Sequence, residues 1–323
     1  MTYLRASRAA TTLACVLAVF FADSTAWSAY PEKPVRLIVP SPPGGGNDVM
    51  ARVAGQKLAE AWGKQVVVDN RPGAGGVIAF EMAARAESNG HTLLLGSTNL
   101  TVLPEMRKVN YDPIKDFVPI TLMATSMNIL LVHPSVPVKS TKELIALAKK
   151  NPGKLNYATS IATSVHLAAE LFKVKAGVSI VSVSYKGMGP ALVDLISGQV
   201  DIAFANPAAS RDYVRSGRLQ ALAVTGERRS AMLPDVPTVA ESAIPGFEAS
   251  TWWGILAPAG TPTAIVSEVN AKLATALSQR DVMDRIAALG ADLAGGPPQR
   301  LADHLSAEIL KWREVIRAAN IRL

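Results

Sequence analysis

The chain has 323 residues, 49% hydrophobic and 18% charged, which is enough for one large domain or two of ordinary size with substantial cores. Its 33 Lys and Arg against 26 Asp and Glu give a net charge of +7, but the basic residues are scattered, without a Lys/Arg tract or interleaved aromatics, which argues against a nucleic-acid partner. A single cysteine, Cys15, and four dispersed histidines, His91, His133, His166 and His304, provide neither a redox pair nor metal-ligand spacing, so neither a metal nor another cofactor is expected.

At the N-terminus Arg5 and Arg8 precede an apolar run from Thr12 to Ala22 and small residues around Ser24-Thr25-Ala26 and Ser28-Ala29. This is the order of a secretory signal, and the run is too short for a membrane anchor. Residues 1–29 are therefore read as a signal peptide, with cleavage after Ala26 or Ala29, and the mature chain is expected in the periplasm with charge +6 once Arg5, Arg8 and Asp23 are removed. Cys15 lies inside the apolar run and Thr12 stands where a lipid-attachment box carries an aliphatic residue, so lipidation is not expected.

Further on, short β-branched runs alternate with helical periodicity. Strands are expected at Val35–Val39, Val66–Val68, Thr92–Leu95, Ile120–Met123, Ile129–Val132, Leu155–Ala158, Ile180–Val183, Ile202–Ala205 and Leu219–Val224. Helices are expected at Val49–Trp62, Ile78–Ala86, Thr141–Lys149, Ser164–Lys175, Pro190–Ser197, Thr263–Ser278, Val282–Leu289 and Arg300–Ala319. Such alternation predicts an α/β fold of parallel sheets covered by helices on both faces. Pro- and Gly-rich stretches mark turns rather than a flexible linker, so two domains would be joined by strands that cross between them, and the helical tail after Thr263 would return to cover the first.

The turn Pro40-Ser41-Pro42-Pro43-Gly44-Gly45-Gly46-Asn47-Asp48 joins the first strand to the first helix and is nearly stripped of side chains. It exposes the first amides of a helix, a site suited to an anion, with Asn47 expected as N-cap and Asp48 favourable to the dipole of the first turn. Three glycines also serve simply to permit a tight turn. Further turns rich in hydroxyls or amides follow strand candidates at Ser97-Thr98-Asn99, Ser160 through Thr163-Ser164 to His166, Tyr185-Lys186-Gly187 and Asn206-Pro207. In open α/β sheets ligands lie beyond the carboxyl ends of strands, where these turns would meet. The Gly-x-Ser-x-Gly elbow, the phosphate loop, and His-Glu-x-x-His or Cys-x-x-Cys pairs are absent from the sequence.

Tyr30-Pro31-Glu32-Lys33-Pro34-Val35-Arg36, Pro42 to Asp48, and Asn70-Arg71-Pro72-Gly73-Ala74-Gly75-Gly76 resemble the Bug family, periplasmic solute-binding components of tripartite tricarboxylate transporters. Tyr185-Lys186-Gly187, Gly198-Gln199-Val200-Asp201, Leu233-Pro234-Asp235-Val236-Pro237-Thr238 and Ala257-Pro258-Ala259-Gly260-Thr261-Pro262 extend the likeness over the mature chain. The resemblance implies a periplasmic-binding-protein-like fold of two Rossmann-like lobes joined by two crossover strands, with lobe 1 formed by residues 30–125 and 252–323 and lobe 2 by 126–251. It implies a non-catalytic monomer that holds a small carboxylate between its lobes for a membrane permease. The ligand set it suggests is Gly44, Gly45, Gly46, Asn47 and Asp48 with Ser97, Thr98 and Asn99 from lobe 1, and Ser160, Thr163, Ser164, His166, Lys186, Gly187 and Asn206 from lobe 2. Asn206 stands near where many relatives place an aspartate; the loss of that carboxylate points to an acid without an α-amino group. Trp252 and Trp253 are read as interlobe packing. A periplasmic enzyme on the same scaffold and a solute sensor for a signalling receptor are the alternatives.

Overall fold

The structure, a computed structural model, describes residues 30–160, 163–185 and 187–321. The segment read as a signal peptide lies outside the described residues, as do Ile161, Ala162 and Lys186. Lys33–Leu323 form one compact unit that carries two sheets.

The first sheet contains β1 (Val35–Val39), β2 (Val66–Asn70), β3 (Thr92–Ser97), β4 (Phe117–Met127), β10 (Ser250–Pro258) and β11 (Asp292–Leu293), in the order β11-β4-β10-β3-β1-β2. The second contains β5 (Ile129–Val132), β6 (Asn156–Thr159), β7 (Val181–Ser184), β8 (Ile202–Ala205) and β9 (Gln220–Val224), in the order β7-β6-β8-β5-β9. The apolar run of β1 is buried at four of its five positions, as expected of a strand covered on both faces. The all-parallel sheets expected from the alternation are found to be mixed. β1 is parallel to β2 and β3, but β10 runs antiparallel to both β3 and β4; likewise β6 is parallel to β7 and β8, but β5 is antiparallel to β8 and β9. The antiparallel strands are those that carry the chain between sheets. β4 leads out through Asn128 to β5, and β10 brings it back alongside β4, with Met127 opposite Ser250.

Period-two alternation divides the second sheet's core. Leu130, Val132, Tyr157 and Phe204 join one cluster with Phe172 and Phe247, while Ile129, Leu131, Ala158, Ala203 and Ala205 join the other with Leu192 and Leu195. The first sheet packs Ile38, Leu94, Leu122 and Trp252 against Phe80, Leu301 and Leu305.

The helices are α1 (Gly46–Trp62), α2 (Val77–Ala84), α3 (Thr98–Met106), α4 (Thr141–Lys150), α5 (Ser164–Ala176), α6 (Met188–Ile196), α7 (Pro207–Arg215), α8 (Val239–Ser242), α9 (Thr263–Leu277), α10 (Arg280–Ala288) and α11 (Pro298–Ala318). The tail does more than cover the first half. Leu301 and Leu305 of α11 enter the first core, but Trp312, Val315 and Ile316 enter the second, so this one helix packs on both. Gly254 of β10 permits the close approach, since a Cβ there would lie 2.8 Å from Leu301 Cδ2. Among the described residues no helix is long and apolar enough to cross a membrane.

Candidate functional site

β1, β3, β6, β7 and β8 each end at the turns singled out in the sequence, and a cleft of about 350 Å³ lies beside several of them. From the first half the cleft is lined by Ser41, Gly45, Gly46 and Asn47; from the second by Ser164, Val165, Met188 and Ala205, then Asn206 and Ala209. Its floor is the crossover pair, with Ser126 and Asn128 from one segment and Thr251 and Trp253 from the other. Ser126 pairs with Thr251, and residues two apart share a strand face, so these four form one strip along the cleft.

The glycine turn differs in detail from the expectation. The N-cap is Gly45, not Asn47: the first helical bond runs from Val49 N–H to Gly45 O at 3.0 Å, and Asn47 already lies within α1. Asn47 cannot cap because its Oδ1 accepts the indole N–H of Trp253 at 2.7 Å. The amides of Gly46 and Asn47 precede the first intrahelical bond and carry the positive end of the helix dipole. Gly44 sits at φ +90°, a region that favours glycine, and donates its N–H to Asp48 Oδ2 at 2.9 Å. Asp48 is buried and also accepts Arg52 Nε at 2.9 Å and Asn70 Nδ2 at 3.0 Å. These bonds, above all that from Arg52, hold its carboxyl below the usual aspartate range. Asp48 thus fixes the shape of the turn and faces its own partners.

The other expected residues divide by location. Ser164 and Asn206 line the cleft with Gly45, Gly46 and Asn47. Asn206 caps α7 through Ala208 N–H at 2.8 Å and donates Nδ2 to Ser126 Oγ at 2.9 Å; Ser126 in turn donates to Gly290 O at 2.7 Å. Thr163 occupies the N-cap position of α5 without a capping bond, its hydroxyl donating instead to Ser160 O at 2.6 Å, and Gly187, at φ +103°, is the N-cap of α6 beside the lining residue Met188. Ser97 and Thr98 are buried at the start of α3, and Asn99 donates to Gly75 O at 2.8 Å, so this turn braces the second glycine turn. His166 is buried within α5, and desolvation lowers its pKa.

Four helix N-termini therefore open on one cleft: α1 at Gly45–Asn47, α5 at Ser164 and Val165, α6 at Met188, and α7 at Asn206 and Ala209. Among the described residues the lining holds no ionisable side chain. The crossover residues Ser126, Asn128, Thr251 and Trp253 were not anticipated as site residues. The available signal was the alternation of polar residues through Thr125-Ser126-Met127-Asn128, which reads as an ordinary strand end until its partner is known. No cluster suited to a metal ion occurs among the described residues.

The family described as "Tripartite tricarboxylate transporter family receptor" matches residues 50–321. The chain belongs to the Bug family. Protein BugT of Bordetella pertussis is 36% identical over 322 residues, covering 97% of this chain and 99% of BugT. Among solved structures, Rpa4515 of R. palustris with adipate is similar at 37% identity and TM-score 0.76, covering 91% of this chain and 99% of that one. MatC from Rhodopseudomonas palustris with bound malate is similar at 31% identity and TM-score 0.72, covering 89% and 100%. Bug-family structures of this kind are periplasmic binding proteins with a bilobal fold, and the two sheets here correspond to that architecture.

Proposed function

We propose that this chain is an exported, non-catalytic binding protein that captures a small organic acid without an amino group and delivers it to a membrane permease. The observation that carries this reading is the convergence of four helix N-termini on a cleft whose described lining has no ionisable side chain. A helix terminus stabilises a negative group by about 0.3–1 kcal/mol, and a hydrogen bond to a charged group by roughly 1.5–3. Micromolar affinity needs about 8 kcal/mol net, so a single turn is insufficient and contributions from both halves are required. An ammonium gains nothing here, because positive helix ends repel it and no described carboxylate faces the cleft. The adipate and malate carried by the two structures above are acids of the proposed class.

A thermal-shift screen across organic acids tests the reading, since a ligand that binds only the folded state raises its stability, by about 2.7 kcal/mol at a hundred times Kd. Adipate or malate is expected to raise the melting temperature, and aspartate and glutamate are expected to act more weakly. Tighter calorimetric binding of the amino acids overturns the ligand class. Turnover of a bound acid, followed by mass detection of products, overturns the non-catalytic assignment.

A further inference from the structure

We propose that Asn128, the single residue between β4 and β5, is the hydrogen-bond donor that receives the second acceptor group of the bound acid, the group remote from the glycine turn. The proposal rests on the reading of the cleft as an acid-binding site. Asn128 lines the cleft, is only 3% exposed, and its side-chain Nδ2 has no partner among the described residues. Buried amide groups are nearly always paired, so an unpaired, buried Nδ2 on a residue that lines a cleft marks a place for a ligand acceptor.

The neighbouring amides differ from it in having a side-chain bond, Asn47 through its Oδ1 to Trp253, and Asn206 through Oδ1 to Ala208 and through Nδ2 to Ser126. The other buried orphan of the lining, Ser41 Oγ, belongs to the glycine turn and so to the first end of the cleft.

Asn128 lies at the other end of the floor. Trp253, whose ring is 3.3 Å from where a Gly46 Cβ would stand, pairs with Ala124; from Ala124 the chain runs four residues to Asn128, about 13 Å at roughly 3.3 Å per extended residue. A lone carboxylate reaches only one end of such a strip, whereas a ligand with an acceptor at each end can engage donors that project inward from both ends. The backbone of Asn128 is fixed while its side chain is not. Its N–H donates to Thr225 Oγ1 at 2.8 Å, its carbonyl accepts Thr225 N–H at 2.8 Å, and Thr225 Oγ1 donates to Ala249 O at 2.6 Å. The outgoing and returning connections are thereby tied together at the residue that presents the free amide, which is the pre-organisation a selective donor needs. An amide N–H donates to a carboxylate, hydroxyl or carbonyl oxygen and offers nothing to an ammonium.

Calorimetry on the wild-type chain, Asn128→Ala and Asn128→Asp tests this, with adipate and malate set against hexanoate and butanoate, which keep the chain length but have one carboxylate. Asn128→Ala is expected to weaken the diacid that binds best ten- to hundred-fold while changing its monoacid by less than three-fold. Asn128→Asp, of the same shape, is expected to weaken the diacid further at pH 7 by setting carboxylate against carboxylate. Diacid affinity within two-fold of wild type in either variant, or equal losses for diacid and monoacid, overturns the assignment. If the wild-type chain binds none of the four acids, the acid-binding reading itself fails; if it binds them and only the variants disobey, the failure is confined to Asn128.

Discussion

The two faces of the crossover strands make an instructive pair. On one face Ser126, Asn128, Thr251 and Trp253 line the cleft, whose described residues are all uncharged; on the other Thr125, Met127 and Ser250 line a larger pocket of about 590 Å³. That second pocket is rich in charge. Lys311 on α11 pairs with both Glu248 and Glu308, and the same wall carries Asp292, Arg300, Asp303 and His304. At its centre three charges are paired: burial opposes the charge of Lys311 but the two carboxylates raise its pKa, and Lys311 outweighs the burial of Glu248 to hold that carboxyl low. Each pocket holds a buried nitrogen without a hydrogen-bond partner among the described residues, Asn128 Nδ2 on the neutral face and His304 Nε2 on the charged one, so the comparison teaches that the two faces differ in the charge they present and not in having an unpaired group. The charged face ties α11 to the segment before β10 through Lys311 and Glu248, and the proposed ligand belongs to the neutral face.

The sharpest way to break this contrast is to remove a member of each face. Lys311→Ala strands two carboxylates, of which Glu308 is 2% exposed, and is expected to lower the unfolding free energy by about 3–5 kcal/mol in urea titrations. Gly45→Leu is expected to do the opposite: a Cβ there meets nothing within 4 Å and its φ is −85°, so the melting temperature without ligand is retained, while the ligand-dependent stabilisation of about 2.7 kcal/mol at a hundred times Kd is lost. If that stabilisation survives, the glycine turn is architectural.

Acidification sharpens the comparison further. Burial holds His166 and His304 below the ordinary histidine value of 6.5, so the unfolded chain takes up their protons first, and stability that is complete above pH 6.5 declines as pH falls toward the lower folded values. Asp48 and Glu248 are also held low, so their contributions, complete above the ordinary carboxylate values of 3.8 and 4.5, are lost in a second stage at lower pH. Urea titrations from pH 8 to pH 2 are expected to show both stages, and His304→Gln to diminish the first. Trp253→Phe, the mildest change, removes the indole bond to Asn47 and is expected to cost about 0.5–1.5 kcal/mol of stability, read from the urea midpoint.

Much of the scaffold is legible in the sequence because its strands are continuous apolar runs. β1 and β5 have the bounds read from the sequence, and β8 ends where Asn206-Pro207 announces a helix start. β10 escapes such a reading because it is buried at seven consecutive positions and has a glycine at its centre, so neither alternation nor composition announces it. α3 escapes because Pro104 interrupts a Thr- and Leu-containing stretch that reads as a polar turn. At the cleft the glycine turn and Ser164 are visible as motifs, whereas Asn128 acquires meaning only when β4 and β10 pair and its amide is seen to lack a partner. The displacement of the N-cap from Asn47 to Gly45 has the same origin, since the bond from Trp253 comes from 206 residues away in sequence.

The position of adipate in a crystal structure of its complex with this protein is the most direct test of the central claim. The account predicts one carboxylate on the amides of Gly46 and Asn47 and the other on the side chain of Asn128, with the apolar body between them. Adipate seated instead among Lys311, Arg300 and His304, or bound with the glycine-turn amides directed elsewhere, would contradict it.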